Sequence, residues 1–282
     1  MSELEKAGNI LERMGLAQKL PPMSTLELLR WRVETENNAV GDLDKADGYD
    51  CPLCRNKGVI TELRGNEGHY SEVVRFCECK KIRQSIMRLK RSGLEELVKR
   101  YCLEDFTTAE AWQGYIKDRA TKFLENPAGI FFIGGQSGCG KTFICTAIAK
   151  QLMRQGKELR YELWRDKSVF LKGIVNRAEE YQQEMNSLKS IDVLYLDDFL
   201  KIPIGVDSGR PTSADLSLAL EIINSRYNNG KLTLISSEWT LPEIVGFDEA
   251  LGGRIYEMAG KYGISIKKDR AKNQRFKRAV EL

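Results

Sequence analysis

Apolar residues in the first third of the chain recur at helical spacing, and past about Tyr101 they gather into short β-type runs separated by helical stretches. Across residues 10–36, Leu16, Leu20, Leu26, Leu28, Leu29, Trp31 and Val33 fit two or more short helices, broken at Pro21-Pro22 because proline removes a backbone donor and crowds the preceding turn. Residues 37–50, with Gly41, Gly48 and several acids, read as a connecting loop. Beyond Cys79, the positions Ile82, Ile86, Leu89, Leu94, Leu97 and Val98 among lysines and arginines predict a basic amphipathic helix bent at Ser92-Gly93. Strands are then expected over 129–134, 159–164, 191–196 and 232–236, and helices over 142–155, 169–188, 213–227 and 252–258. This alternation predicts an α/β fold, a parallel sheet with helices on both faces.

Composition narrows the class. Hydrophobic residues at 42%, charged residues at 30% and 7 prolines in 282 residues exclude collagen-like and wholly disordered chains. No uncharged apolar run approaches the roughly 20 residues a bilayer span needs, and Met-Ser-Glu-Leu-Glu-Lys lacks a secretory apolar segment. A cytoplasmic protein without a membrane partner is expected. Net charge is only +4, from 44 bases and 40 acids, but it is unevenly spread. Residues 1–50 hold ten acids and six bases, whereas residues 80–100 hold eight bases against Glu95 and Glu96, and residues 261–278 hold eight against Asp269. Such runs are either solvated faces or phosphate-contacting surfaces.

Four of the seven cysteines, Cys51, Cys54, Cys77 and Cys79, fall within 29 residues. In a reducing compartment, Cys-x-x-Cys and Cys-x-Cys pairs read as metal ligands, and four thiolates make a closed, structural Zn²⁺ site. His69, between the pairs, is either a replacement for one thiolate or an ordinary hairpin residue.

Gly135-Gln136-Ser137-Gly138-Cys139-Gly140-Lys141-Thr142 fits G-x-x-x-x-G-K-[ST], follows the apolar run Ile130-Phe131-Phe132-Ile133 and opens a predicted helix. Glycines let the backbone curl its N–H groups around phosphates, Lys141 reaches the β and γ phosphates of ATP, and the Thr142 hydroxyl can hold Mg²⁺. Cys139 is there for its small size. Val193-Leu-Tyr-Leu-Asp197-Asp198 ends an apolar strand in two carboxylates. Asp197 is the expected magnesium-directed acid, and Asp198 the acid that orients or activates the attacking water.

With these elements the chain resembles AAA+ ATPases, and among them the DnaC/DnaI-type replicative helicase loaders of bacteria and phages. The ATPase resemblance covers residues 101–282; the cysteine unit followed by Lys80-Lys81 resembles the zinc-binding unit that DnaI-like loaders place ahead of it. The resemblance implies an N-terminal helicase-interaction domain over 1–100 and an ATPase domain over 101–282. It also implies a polar sensor residue among Ser236, Ser237 and Glu238, with Glu238 at the best-aligned position, and an arginine finger at Arg254 acting on a neighbouring subunit's nucleotide. A second sensor arginine is expected at Arg270 or Arg275. The implied function is ATP-dependent loading of a DnaB-type helicase onto single-stranded DNA during replication initiation, by an oligomeric switch that self-associates through its ATP site. Because Asp198 is one methylene shorter than glutamate, slow turnover is expected. Residues 161–172 mix aromatics and bases as a single-stranded DNA groove requires, though these aromatics serve equally as core. Three rivals share the sequence features: an IstB-like transposition helper ATPase, a nucleotide-binding zinc adaptor without useful hydrolysis, and a small-molecule kinase.

Overall fold

The computed structural model describes residues 23–66, 69–91, 94–201 and 209–277; the helix expected ahead of Pro21 lies outside them. The chain divides into two compact units, one up to Lys80 and one from Lys81 onward.

In the first unit, α1 (Thr25–Asn38) starts at a capping box in which the Glu27 N–H donates to Ser24 Oγ at 3.3 Å and the Ser24 N–H donates to Glu27 Oε2 at 2.8 Å. No residue of α1 is buried. A single turn, α2 (Asp44–Asp47), interrupts the expected loop. An antiparallel hairpin follows, β1 (Val59–Asn66) and β2 (His69–Phe76). Asn37 docks α1 on it: its side chain donates to Thr61 O at 2.8 Å and accepts from Thr61 N at 3.0 Å.

Two helices, α3 (Cys79–Arg91) and α4 (Glu95–Arg100), flank Ser92-Gly93. The division falls at Lys80 and not at residue 100, because residues after it belong to the second unit's core. Leu94 is buried there, Leu97 and Val98 pack against the same cluster, and Ser85 Oγ accepts from Leu159 N at 2.9 Å.

The second unit continues with α5 (Ala111–Glu125), β3 (Ile130–Gly135), α6 (Lys141–Arg154), β4 (Leu159–Leu163), α7 (Trp164–Ile174), α8 (Ala178–Ser190) and β5 (Val193–Phe199). Then come α9 (Ser213–Asn228), β6 (Leu232–Ser237), α10 (Leu241–Phe247), α11 (Glu249–Ala259), β7 (Gly263–Ile266) and the short α12 (Gln274–Lys277). Five strands form one sheet in the order β4-β5-β6-β3-β7, and every pairing is parallel.

Side chains of a strand alternate between faces, and both faces here are covered. Phe131 and Ile133 of β3 and Tyr195 of β5 join Ile144, Ile148 and Leu152 of α6 in one core. Ile130, Phe132, Leu194 and Leu196 point the other way, into a second core with Trp164, Leu171, Ile222 and Ile255. All six residues of β3 are buried, as a central parallel strand requires.

The single helix expected over 169–188 is two helices. α7 begins at Trp164, which is a fully buried helix residue and not a strand end, and the chain turns at Arg177, whose backbone (φ −103°, ψ 81°) is not helical. The turn lets each helix aim its own buried stripe, Trp164–Ser168–Leu171–Ile174 and then Met185–Leu188, at the sheet. Among the described elements, α5, α10, the short α12 and the edge strand β7 carried no expectation. For α10 the signal was available, since Thr240-x-x-Glu243 forms a capping box in which Thr240 N donates to Glu243 Oε2 at 2.7 Å.

Candidate active site and cysteine cluster

The carboxyl ends of the parallel strands bring the expected nucleotide residues to one place, the position where open α/β sheets bind ligands. A cavity of about 570 Å³ opens there, lined by residues 137–143, Asp198, Lys201 and Glu238, together with Phe106, Gln113, Gln274 and Arg275.

The loop from Gly135 to Thr142 curls because three of its glycines take positive φ: 129° at Gly135, 80° at Gly138 and 87° at Gly140. A Cβ on Gly135 would run into the backbone oxygen of Ile266. The curl leads into α6, whose N-terminus no side chain caps, so its first N–H groups are available to an anion. Lys141 is buried and donates to the carbonyls of Gly135 at 2.9 Å and Gln136 at 2.7 Å. Cys139 is buried in the core beneath the loop, donates to Gln136 O at 3.0 Å and has its thiol pushed up by burial, which suits a packing residue.

Asp197 sits at the centre of a polar cluster. Its Oδ1 accepts from Thr142 Oγ1 at 3.2 Å and from Ser236 Oγ, and its Oδ2 accepts from the Tyr161 hydroxyl at 3.2 Å. Burial raises the Asp197 carboxyl above its ordinary range; the hydrogen bond from Ser236 opposes the shift and the adjacent Asp198 adds to it. Burial followed by the Asp197 charge likewise drives the Tyr161 hydroxyl far up, so it stays a proton donor.

β5 pairs regularly with β6 up to Leu196 and then breaks register before Phe199. Asp198 (φ 50°) and Leu200 (φ 59°) adopt left-handed backbone there, and the irregularity turns Asp198 from the sheet into the cavity. Asp198 Oδ2 accepts from Lys201 Nζ at 2.9 Å, and the same ammonium reaches Glu238 Oε1 at 3.2 Å. Ser236 Oγ also accepts from Asp198 N at 3.3 Å, so Ser236 links the two acids while Glu238 forms the cavity wall.

The other expected arginines separate. Arg275 lines the cavity and donates to Ser137 Oγ at 3.3 Å. Arg270 starts a 3₁₀ turn after Asp269 and is not among the lining residues. Arg254 lies on α11 away from the cavity lining; it donates to Asn224 Oδ1 at 3.2 Å and stands 4.6 Å over the Tyr227 ring. Sequence reasoning did not single out Lys201, Tyr161's link to Asp197, or Phe106, whose ring meets Phe143 edge-on at 5.4 Å. Nothing local marks those roles.

Residues 161–172 do not form a continuous aromatic groove. Trp164 is fully buried, Tyr161 is engaged by Asp197, and Phe170 is the exposed aromatic, with Lys167 Nζ 5.0 Å from its centroid. Core packing claims the rest because α7 must cover the sheet.

In the first unit, the sulfurs of Cys51, Cys54, Cys77 and Cys79 all lie within 4.8 Å of one another and all four residues are buried. Cys51 and Cys77 sulfurs are 3.8 Å apart and those of Cys54 and Cys79 are 3.6 Å apart. A tetrahedron of thiolates at the usual zinc–sulfur distance has an edge of about 3.8 Å, so the donor set fits zinc. The first pair is shaped by left-handed Arg55 and Asn56, with Asn56 Oδ1 accepting from Cys51 N at 2.8 Å. The Gly58 N–H donates to Cys54 Sγ at 3.2 Å. Burial alone would raise the Cys54 thiol, but that amide and the neighbouring sulfurs outweigh it and bring it down to about 7. His69 is exposed, paired with Asn66 at the hairpin's end, and lies outside the cluster.

A model of the "IstB-like ATP binding protein" family matches residues 75–251. The phage-like element PBSX protein XkdC of Bacillus subtilis (strain 168) is 30% identical over 239 residues, covering 79% of this chain and 84% of that protein. YqaM of the same strain, an uncharacterized protein, is 29% identical over 274 residues, covering 80% and 85%. A crystal structure of the DnaC helicase loader superposes with a TM-score of 0.51 at 19% identity, over 61% of this chain and 98% of that one. No described helix is long and apolar enough to cross a membrane.

Proposed function

The chain belongs to the IstB-like ATP-binding family and is an ATPase of the AAA+ fold; from that premise we propose that it is an ATP-controlled loader of a DnaB-type replicative helicase onto single-stranded DNA. The observation that carries the reading is the incompleteness of the cavity. Asp198, the water-directed acid, is held by Lys201, while Arg254 stands outside its own subunit's cavity lining. Lys141 and Arg275 of the same chain already line the cavity, and full compensation of the charge developing on the γ-phosphate needs the further arginine that a second copy brings. Hydrolysis is therefore slow in the isolated chain and reports assembly.

In this reading, Gly135 through Thr142 cradle the phosphates by their N–H groups and Lys141 swings from the loop carbonyls to the β and γ phosphates. Thr142 and Asp197 would hold Mg²⁺, which would supply charge neutralisation between the phosphates. Glu238 and Ser236 hold Asp197 and Asp198 in line with the nucleotide. The zinc unit, with the helix ahead of it, docks the helicase, and basic faces of the ATPase unit follow the DNA backbone. A cytoplasmic location goes with this role.

The test is co-migration by size of the full chain with a bacterial replicative helicase, with and without ATP and magnesium. ATP-dependent co-migration that Lys141→Ala removes is the expected result; capture unaffected by ATP would overturn the proposal. A second reading, a helper ATPase that remodels a transposase on DNA, is favoured by the family match. It predicts ATP-dependent stimulation of a cognate transposase with no helicase capture.

A further inference from the structure

We propose that Gln136 is a positioning residue: its side chain latches the segment from Asp269 to Arg275 onto the phosphate loop and so holds the Arg275 guanidinium at the mouth of the nucleotide cavity. The inference rests on the reading of that cavity as the ATP site, and gives the second residue of the loop a task beyond its backbone.

The Gln136 amide imitates a paired strand. Its Nε2 donates to Asp269 O at 2.7 Å and its Oε1 accepts from Asp269 N at 2.6 Å. Two opposed hydrogen bonds from one planar group fix both the place and the direction of the partner backbone. At the far end, Gln274 N donates to Gly138 O at 2.9 Å and Arg275 Nη1 donates to Ser137 Oγ at 3.3 Å. Between these ends Asn273 occupies the space a Cβ on Gly138 would need. The segment is thus tied to the loop at Gln136, Ser137 and Gly138, the residues that would receive the phosphates. Gln274 Nε2, in the cavity lining, is a buried donor with no partner among the described residues. Such a donor calls for an acceptor, and a phosphate oxygen arriving in this cavity is one.

The consequence is linkage. If the loop holds the segment, ligand on the loop and the position of Arg275 favour each other. A triphosphate, with more charge toward Arg275 than a diphosphate, gains more from the latch. Gln136→Ala leaves Asp269's backbone groups to water, which is a small loss of stability at an exposed site, but frees the arginine.

The full-length protein should be titrated with a fluorescent non-hydrolysable ATP analogue and with the matching ADP. Loss of a charge-assisted contact weakens binding by roughly tenfold to a hundredfold. Gln136→Ala and Gln136→Glu are each expected to weaken the triphosphate at least about tenfold and the diphosphate much less, as Arg275→Ala does. The Gln136→Ala/Arg275→Ala pair should be no weaker than Arg275→Ala alone, because both remove one device. In nucleotide-free protein, exchange of the Gln274 amide should accelerate in Gln136→Ala while α6 amides stay protected. Triphosphate affinity within twofold of wild type in Gln136→Ala, or losses that multiply in the double variant, would overturn the latch. Failure of the wild-type chain to bind either nucleotide would instead remove the ATP reading itself.

Discussion

Removing one cysteine sulfur should unfold the first unit while leaving nucleotide binding intact. Among the described residues up to Lys80, the fully buried apolar cluster is the four cysteines themselves, with Tyr49 and Ile60 partly buried against them. α1 buries nothing and is held through Asn37 and Glu36 by polar contacts to Thr61. A buried Leu or Ile side chain contributes about 1.5–3 kcal/mol, and none is fully buried here. A structural zinc contributes about 10–16 kcal/mol as apparent binding free energy, so a zinc held by these four sulfurs would dominate the unit's stability. Cys77→Ser removes a thiolate and the 3.8 Å partner of Cys51. The assay pairs zinc stoichiometry with amide exchange. Wild type purified under reducing conditions should carry one zinc per chain and protect the Cys77 N–H, which donates to Gly58 O at 2.9 Å. The variant should lose both, with unchanged affinity for ATP. Hairpin amides that stay protected after the metal is stripped, or a wild-type chain free of zinc, would refute the reasoning.

Two further outcomes follow from burial in the ATPase unit. The Asp197 carboxyl is raised in the folded chain, so its ionised form costs stability. That penalty is absent below the ordinary value of 3.8 and grows as pH rises through the raised value, staying constant beyond it. Without nucleotide or magnesium, Asp197→Asn should therefore melt higher than wild type at pH 7 but not near pH 3, while losing hydrolysis; a lower melting point at pH 7 would contradict the account. Arg226 is fully buried with no ion-pair partner in contact among the described residues, donating to Thr233 Oγ1 at 2.9 Å and to the carbonyls of Leu188, Ile191 and Leu232, and burial lowers it to about 9. Arg226→Met should cost about 1–3 kcal/mol for each group left unsatisfied, read as a lower urea midpoint at unchanged slope; an unshifted midpoint would show that the carbonyls find other partners.

Short-range physics alone encodes several of these features. The glycine spacing of residues 135–142, the apolar run of β5 ending in two acids, and the two cysteine pairs are each local patterns. Their neighbours in the chain set their conformation, so they were legible without a structure. So was the strand–helix alternation, because apolar periodicity reports which face must leave water. Other features depended on residues far apart in sequence. The turn at Arg177 exists because α7 and α8 cover different parts of the sheet, and β7 is a strand because β3 offers it an edge. Lys201 gains its role from Glu238, and Tyr161 from Asp197. Gln136 meets Asp269 only when the end of the sheet brings the two together. The same limit explains residues 161–172: an aromatic run looks alike whether it faces water or core, and only the packing of α7 decided that Trp164 belongs inside.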